Sequence, residues 1–192
     1  MDLFFFQFSE TQLLVNTQVS TSLLVRKFNL VSLHLMHAGH THRDEFRVQY
    51  SNTDEKPVGV QFVAPVITSY SSNNPGYRVY TVKNTGELID YETIYVNLTA
   101  AEDQHQPLFD KLYDARSFYK MKKPTFDEFD SLLKHITDND MAFENYFRTV
   151  FVSQSDYSSL QSCDDYCRRA LLSSHTVDNP YVRQPPFPSW VY

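Results

Sequence analysis

The residues best suited to chemistry in this chain are His40 and His42, in the run Gly39-His40-Thr41-His42. The run follows residues 28–35, whose alternating pattern reads as a buried strand, and Gly39 permits a tight turn at the strand end. A His-x-His pair placed there can turn both imidazoles toward one cavity, one for each metal of a hydrolytic two-metal site. Two polar loop histidines would give the same pattern. His34 and His37 add to the local histidine density, but their spacing fits no ligand motif. A hydrolytic zinc needs three protein ligands and an open position for water. Ahead of His40 the only acidic residues are Asp2 and Glu10, and neither sits in a strand-end motif. The chain is therefore expected to lack the ligands for two metals of its own.

Two further sets of residues carry covalent chemistry. Cys163 and Cys167 are the only cysteines, and such a close pair can be a disulfide, half of a metal site or two buried thiols. Asn97-Leu98-Thr99 is the single N-glycosylation triplet, a pattern that also arises by chance. The formal charge is -6 and the basic residues are scattered, so nucleic-acid binding is not expected. No apolar run approaches the ~20 residues needed to cross a bilayer. The first residues, MDLFFFQFSETQLLV, lack a basic leader and a small-residue cleavage site. From this either secretion is wrong or this N-terminus is not the natural start, and the second is the expectation.

These residues need elements to position them, and the chain changes character near residue 100. Between 28 and 97 short alternating runs are broken by turn residues, the signature of strands. Phe46, Val48 and Tyr50 alternate, Val58, Val60 and Phe62 follow a turn at 52–57, and Tyr77, Val79 and Thr81 precede a turn at Asn84-Thr85-Gly86. From Pro107 the period becomes helical, with Leu108, Leu112, Ala115 and Tyr119 expected on one face. Thr125-Phe126-Asp127-Glu128 reads as a capping box, followed by a stripe of Phe126, Phe129, Leu133 and Ile136. Asp140 is expected to cap a helix carrying Phe143, Phe147, Val150 and Phe151, and 162–172 to form a last short helix. With 15 Phe and 13 Tyr these stripes are read as core. The prolines at 180, 185, 186 and 188 predict an irregular tail, whose Trp190 either docks on the body or does not.

Gly39-His40-Thr41-His42-Arg43-Asp44-Glu45-Phe46 resembles the GHTHxDEF segment of calcineurin-like metallophosphoesterases in their acid-sphingomyelinase form. The likeness continues through residues 62–70 (FVAPVITSY), 74–80 (NPGYRVY) and 90–99 (DYETIYVNLT), then Tyr113-Asp114-Ala115-Arg116, Pro124-Thr125 and the two cysteines. It spans roughly residues 38–172, and so long an ordered series is highly specific.

The resemblance implies an α+β chain: the C-terminal part of a metallophosphoesterase β-sandwich followed by a helical subdomain. The divisions it suggests are a divergent segment at 1–37, strands at 38–100, helices at 101–175 and a proline-rich tail at 176–192. It implies that His40 ligates one zinc and His42 the other, that Tyr70 lines the substrate end of the site, and that Asn74-Pro75-Gly76-Tyr77 is a structural loop beside it. By the same resemblance Asn97 is glycosylated and Cys163 is bonded to Cys167. Two cysteines inside one regular helix would distort it. The implied activity is zinc-dependent hydrolysis of sphingomyelin-like phospholipids or nucleotide phosphodiesters, in a secreted or lysosomal setting. The family's Asp-x-His strand end, bridging Asp, Asn-His pair and further ligating His have no counterpart here. The chain is thus expected to be inactive alone, a fragment of the hydrolase. The alternatives are a non-catalytic secreted interaction or regulatory protein of that family, and an unrelated zinc binder. Strands without their sheet partners are expected to leave exposed edges, and with them marginal stability or association.

Overall fold

The computed structural model describes residues 3–7, 35–38, 41–51, 53–69, 74–152 and 163–177. Two four-stranded sheets and five helices make up this part of the chain. The first sheet contains β1 (Leu3–Gln7), β5 (Gly76–Val82), β6 (Leu88–Val96) and β7 (Phe109–Asp114), in that order and antiparallel throughout. The second has the order β2 (Leu35–Ala38), β4 (Pro57–Val63), β3 (Glu45–Tyr50) and β8 (Thr176–Val177). In it β3 and β4 form an antiparallel hairpin, while β2 and β8 add parallel strands to its two sides. The mixture of sheets and helices is α+β, as expected.

The local rules that shape the hairpins are visible. Between β5 and β6, Lys83 donates its backbone N–H to the Glu87 carbonyl and Gly86 returns to Lys83. Gly86 has φ +85°, a conformation that costs a residue with a Cβ, so the Asn-Thr-Gly signal marks the turn correctly. Phe46 and Val48 on β3 and Val60 and Phe62 on β4 turn to one face and are fully buried.

The helices are α1 (Leu98–Gln104), α2 (Ala115–Phe118), α3 (Phe126–Asp138), α4 (Asp140–Val150) and α5 (Asp165–Ser173). Thr125 caps α3 as the capping-box pattern requires, accepting from the Glu128 N–H at 3.4 Å. Phe129, Leu132, Leu133 and Ile136 form its buried stripe. These residues, the facing stripe of α4 and the inner faces of both sheets form one hydrophobic cluster. The Phe62 ring touches Tyr80 and Tyr91 of the first sheet at 5.7 and 5.3 Å and Phe129 of α3 at 5.3 Å. Each large side chain buried this way contributes about 1.5–3 kcal/mol.

Several expectations are corrected. Residues 109–114 are strand, not helix: Phe109, Asp110 and Lys111 pair with Val96, Tyr95 and Ile94 of β6. The face proposed for Leu108, Leu112, Ala115 and Tyr119 therefore does not exist. Phe109, Leu112 and Tyr113 stand at the helical spacing i, i+3, i+4, and the open edge of β6 overrides that local signal. Asn139, not Asp140, caps α4, accepting from the Ala142 N–H at 2.9 Å. Cys163 precedes α5, whose cap is Asp164, so the Cys163–Cys167 disulfide crosses the helix start instead of lying within regular helix. Leu3–Gln7, in the segment 1–37 that the resemblance does not reach and for which the sequence pattern gives no strand, is a strand paired with β5. The strand expected at 28–35 lies outside the described residues except for Leu35, which opens β2. Trp190 and the proline-rich tail also lie outside them.

Candidate functional site

The loop between β2 and β3 carries the His-x-His motif, and three adjacent strands of the other sheet are built to receive it. The register of the first sheet sets Arg78 of β5 opposite Thr93 of β6, and Thr93 opposite Tyr113 of β7. Directly paired residues point to the same face, so a guanidinium, a hydroxyl and a phenol stand in one row. Asp44, just ahead of β3, inserts its carboxylate against that row. Its Oδ1 accepts from Arg78 and, at 3.0 Å, from Tyr113; its Oδ2 accepts from Thr93 at 2.6 Å. Asp44 is 1% exposed and Arg78 0%, a location that an ion pair tolerates only when its remaining hydrogen-bonding groups are matched.

The surroundings go most of the way to that match and leave one atom, the Arg78 Nε, buried without a hydrogen-bond partner. Arg78 also donates to the Tyr80 hydroxyl at 3.2 Å, and its guanidinium lies 4.4 Å from the centroid of the Tyr91 ring. Burial pushes the phenols of Tyr80, Tyr91 and Tyr113 up from their ordinary pKa, so each keeps its O–H near neutrality. Tyr113 is consequently a donor to Asp44, not a rival anion.

The second hold on the loop comes from the end of α4. The Asp44 N–H donates to the Val150 carbonyl at 3.0 Å, and the Arg43 guanidinium sits 4.6 Å from the centroid of the Phe151 ring. A cation at a helix C-terminus is favourably placed against the exposed carbonyl dipoles. Burial lowers the Arg43 pKa, partly offset by Glu45. Nearby, Asn74 donates to the Val152 carbonyl at 3.0 Å and accepts from the Leu98 N–H at 3.1 Å. The Asn-Pro-Gly-Tyr turn is thereby a bracket tying the first sheet to the end of α4 and the start of α1.

His42 emerges from this clamp two residues before Asp44, half-buried, with its Nε2 atom shielded from solvent. Its φ is +61°, a left-handed conformation that few residues with a side chain adopt and that concentrates at functional loops. His40 and Tyr70, the other residues expected to face a substrate, lie outside the described residues. Asn97 caps α1, its Oδ1 accepting from the Ala100 N–H at 3.1 Å. The ring-forming disulfide brings Cys163 and Cys167 together.

Among the described residues no group of three His, Cys, Asp or Glu side chains could hold a metal ion. The donor chemistry explains it: both oxygens of Asp44 are committed to Arg78, Tyr113 and Thr93, and Glu45 faces Thr41 and Arg47 at 3.5 Å. Among the described residues of this loop His42 is a single imidazole, one of the three ligands that a hydrolytic zinc requires. The clamp of Asp44, Arg78, Thr93 and Tyr113 escaped the sequence reading. Its one legible signal was a cation and a Thr at inward positions of strands otherwise lined with apolar and aromatic residues.

No protein-family model matches the chain. Individual curated proteins do. It is 27% identical over 139 residues to sphingomyelin phosphodiesterase 1 of Caenorhabditis elegans, a match covering 70% of this chain and 24% of that protein. It is 33% identical over 141 residues to the Bos taurus sphingomyelin phosphodiesterase, covering 70% and 22% respectively. With the Mus musculus acid sphingomyelinase-like phosphodiesterase 3b the identity is 30% over 156 residues, covering 75% of this chain and 33% of that protein. The chain thus spans between about a fifth and a third of the length of these relatives. The matches run through most of the chain and agree in kind with its motifs, and on that ground it belongs, as a partial-length relative, to the acid sphingomyelinase-like phosphodiesterase family.

Proposed function

We propose that this chain is the C-terminal portion of a zinc-dependent phosphodiesterase, the part that holds the His40–His42 loop in place, and that it is inactive alone. The observation that carries the reading is the Asp44 clamp: a buried, fully matched carboxylate fixing the loop two residues beyond His42. Such a costly feature is expected where a neighbouring side chain must be held to a fraction of an ångström. In this reading the strands are one side of a metallophosphoesterase sandwich. His40 and His42 contribute one ligand to each of two zincs, and Tyr70 lines the substrate end. The remaining ligands would come from the part of the relatives' length that this chain does not span. Substrates would be sphingomyelin-like phospholipids, after the names of the relatives, or nucleotide phosphodiesters. A secreted or lysosomal location and a glycan on Asn97 belong to the same reading.

The alternative is a non-catalytic interaction or regulatory protein derived from the family. Either form would associate through sheet edges. At β7, the last strand of its sheet, Leu108 and Phe109 are exposed by 46% and 55%.

The purified chain tests these readings through its zinc content, its hydrolysis of bis-p-nitrophenyl phosphate and its sedimentation. Less than one tightly bound zinc, no turnover, and association that weakens on Phe109→Lys are the expected results. Two bound zincs with turnover lost in His40→Ala would refute inactivity and reveal a complete site.

A further inference from the structure

We propose that His175 is an acid-sensitive latch that holds the end of α5 and strand β8 against β3, and that its protonation releases this segment. The inference is independent of any metal at the His40–His42 loop. His175 is fully buried at the junction of three elements. Its ring meets Phe46 of β3 edge-on at 5.6 Å and Tyr146 of α4 at 5.2 Å. Its Nδ1 lies 2.6 Å from the Leu171 carbonyl of α5, and the Ser174 hydroxyl lies 3.2 Å from the same nitrogen. A carbonyl only accepts, so Nδ1 carries the proton of the neutral ring. Nε2 is then the acceptor, and the Tyr146 hydroxyl donates to it.

A second proton disturbs this arrangement. Protonation at Nε2 sets a new N–H against the O–H of Tyr146, which must rotate away, and leaves a cation in an aromatic pocket. The charged and titratable groups facing the ring are Glu45 and Arg47 from β3 and Tyr146 from α4; α5 offers the Leu171 carbonyl, and Ser174 the adjacent hydroxyl. Desolvation pulls the imidazole down from its ordinary 6.5 to about 4; Glu45 partly opposes this and Arg47 adds to it.

The junction also carries the strand. The His175 carbonyl accepts from the Val48 N–H at 2.8 Å, and β8 pairs with β3 at only two positions, Val48 with Thr176 and Gln49 with Val177. The start of α5 is fastened separately, because Arg168 donates to the Thr137 carbonyl at 2.9 Å and Cys167 is bonded to Cys163. Release thereby begins no earlier than residue 171.

The closed state favours the neutral ring, so its advantage is complete above pH 6.5, declines as pH falls toward 4, and is constant below. With those two values, lowering the pH from 7 to 5 raises the opening equilibrium roughly twenty-fold.

Hydrogen exchange of the full chain at pH 7 and 5, corrected for intrinsic rates, tests the latch. The Val48 amide is expected to lose protection about twenty-fold, the Val96 amide, bonded to the Pro75 carbonyl at 2.8 Å, is expected to keep its own, and His175→Gln is expected to abolish the difference at Val48. Unchanged protection at Val48, an equal loss at Val96, or the same pH response in His175→Gln overturns the proposal. If His175→Gln does not fold, the contrast between Val48 and Val96 in the natural chain still decides.

Discussion

Replacing Arg78 by Met removes the guanidinium while retaining most of its volume, and leaves Asp44 buried without its counter-charge. Asp44 is 1% exposed. Breaking such a pair from one side costs about 3–5 kcal/mol. Thr93 and Tyr113 still donate to the carboxylate, which favours the lower end, whereas loss of the contact with Tyr91 at 4.4 Å adds about 1 kcal/mol. The expected total is about 4 kcal/mol. With a urea dependence of about 2 kcal/mol/M, the unfolding midpoint falls by about 2 M, read by far-ultraviolet circular dichroism. Asp44→Asn in the Arg78→Met background completes a cycle in which the second substitution costs far less than it does alone. Thr93→Ser, which retains the hydroxyl, stays close to the natural chain. A midpoint shift under about 0.5 M for Arg78→Met, or strict additivity in the cycle, would refute the claim that this pair clamps the loop.

Reducing the Cys163–Cys167 bond removes a small loop at the start of α5; chain entropy puts the loss at about 2 kcal/mol, read as a lower thermal midpoint with dithiothreitol. An unchanged midpoint would mean that Arg168 alone secures the helix start. Because Asn97 both caps α1 and opens the glycosylation triplet, Asn97→Gln is expected to abolish a glycan and cost about 1 kcal/mol. Thr99→Ala, at an exposed position, abolishes the glycan with the cap intact. Equal electrophoretic mobility of both variants and the natural chain, expressed in secretory cells, would rule out the modification.

What the sequence determined by itself was whatever depends on neighbours along the chain. The Thr125 cap, the stripes of α3 and α4 and the Asn-Thr-Gly turn follow from spacing of a few residues, and the ordered motifs around His40 and His42 led to the family without any contact being known. Tertiary structure decided whatever an open sheet edge or a distant partner decides. Residues 109–114 became a strand because β6 offered unpaired backbone groups, and Leu3–Gln7 a strand because β5 did. The Asp44 clamp joins residues separated by 34, 49 and 69 positions. Only the register of β5, β6 and β7 sets its three donors in a row, and register is a property of paired strands. His175, one of 7 histidines in the sequence, acquires its depressed pKa from burial among the elements that close around it, with Arg47 adding to the effect.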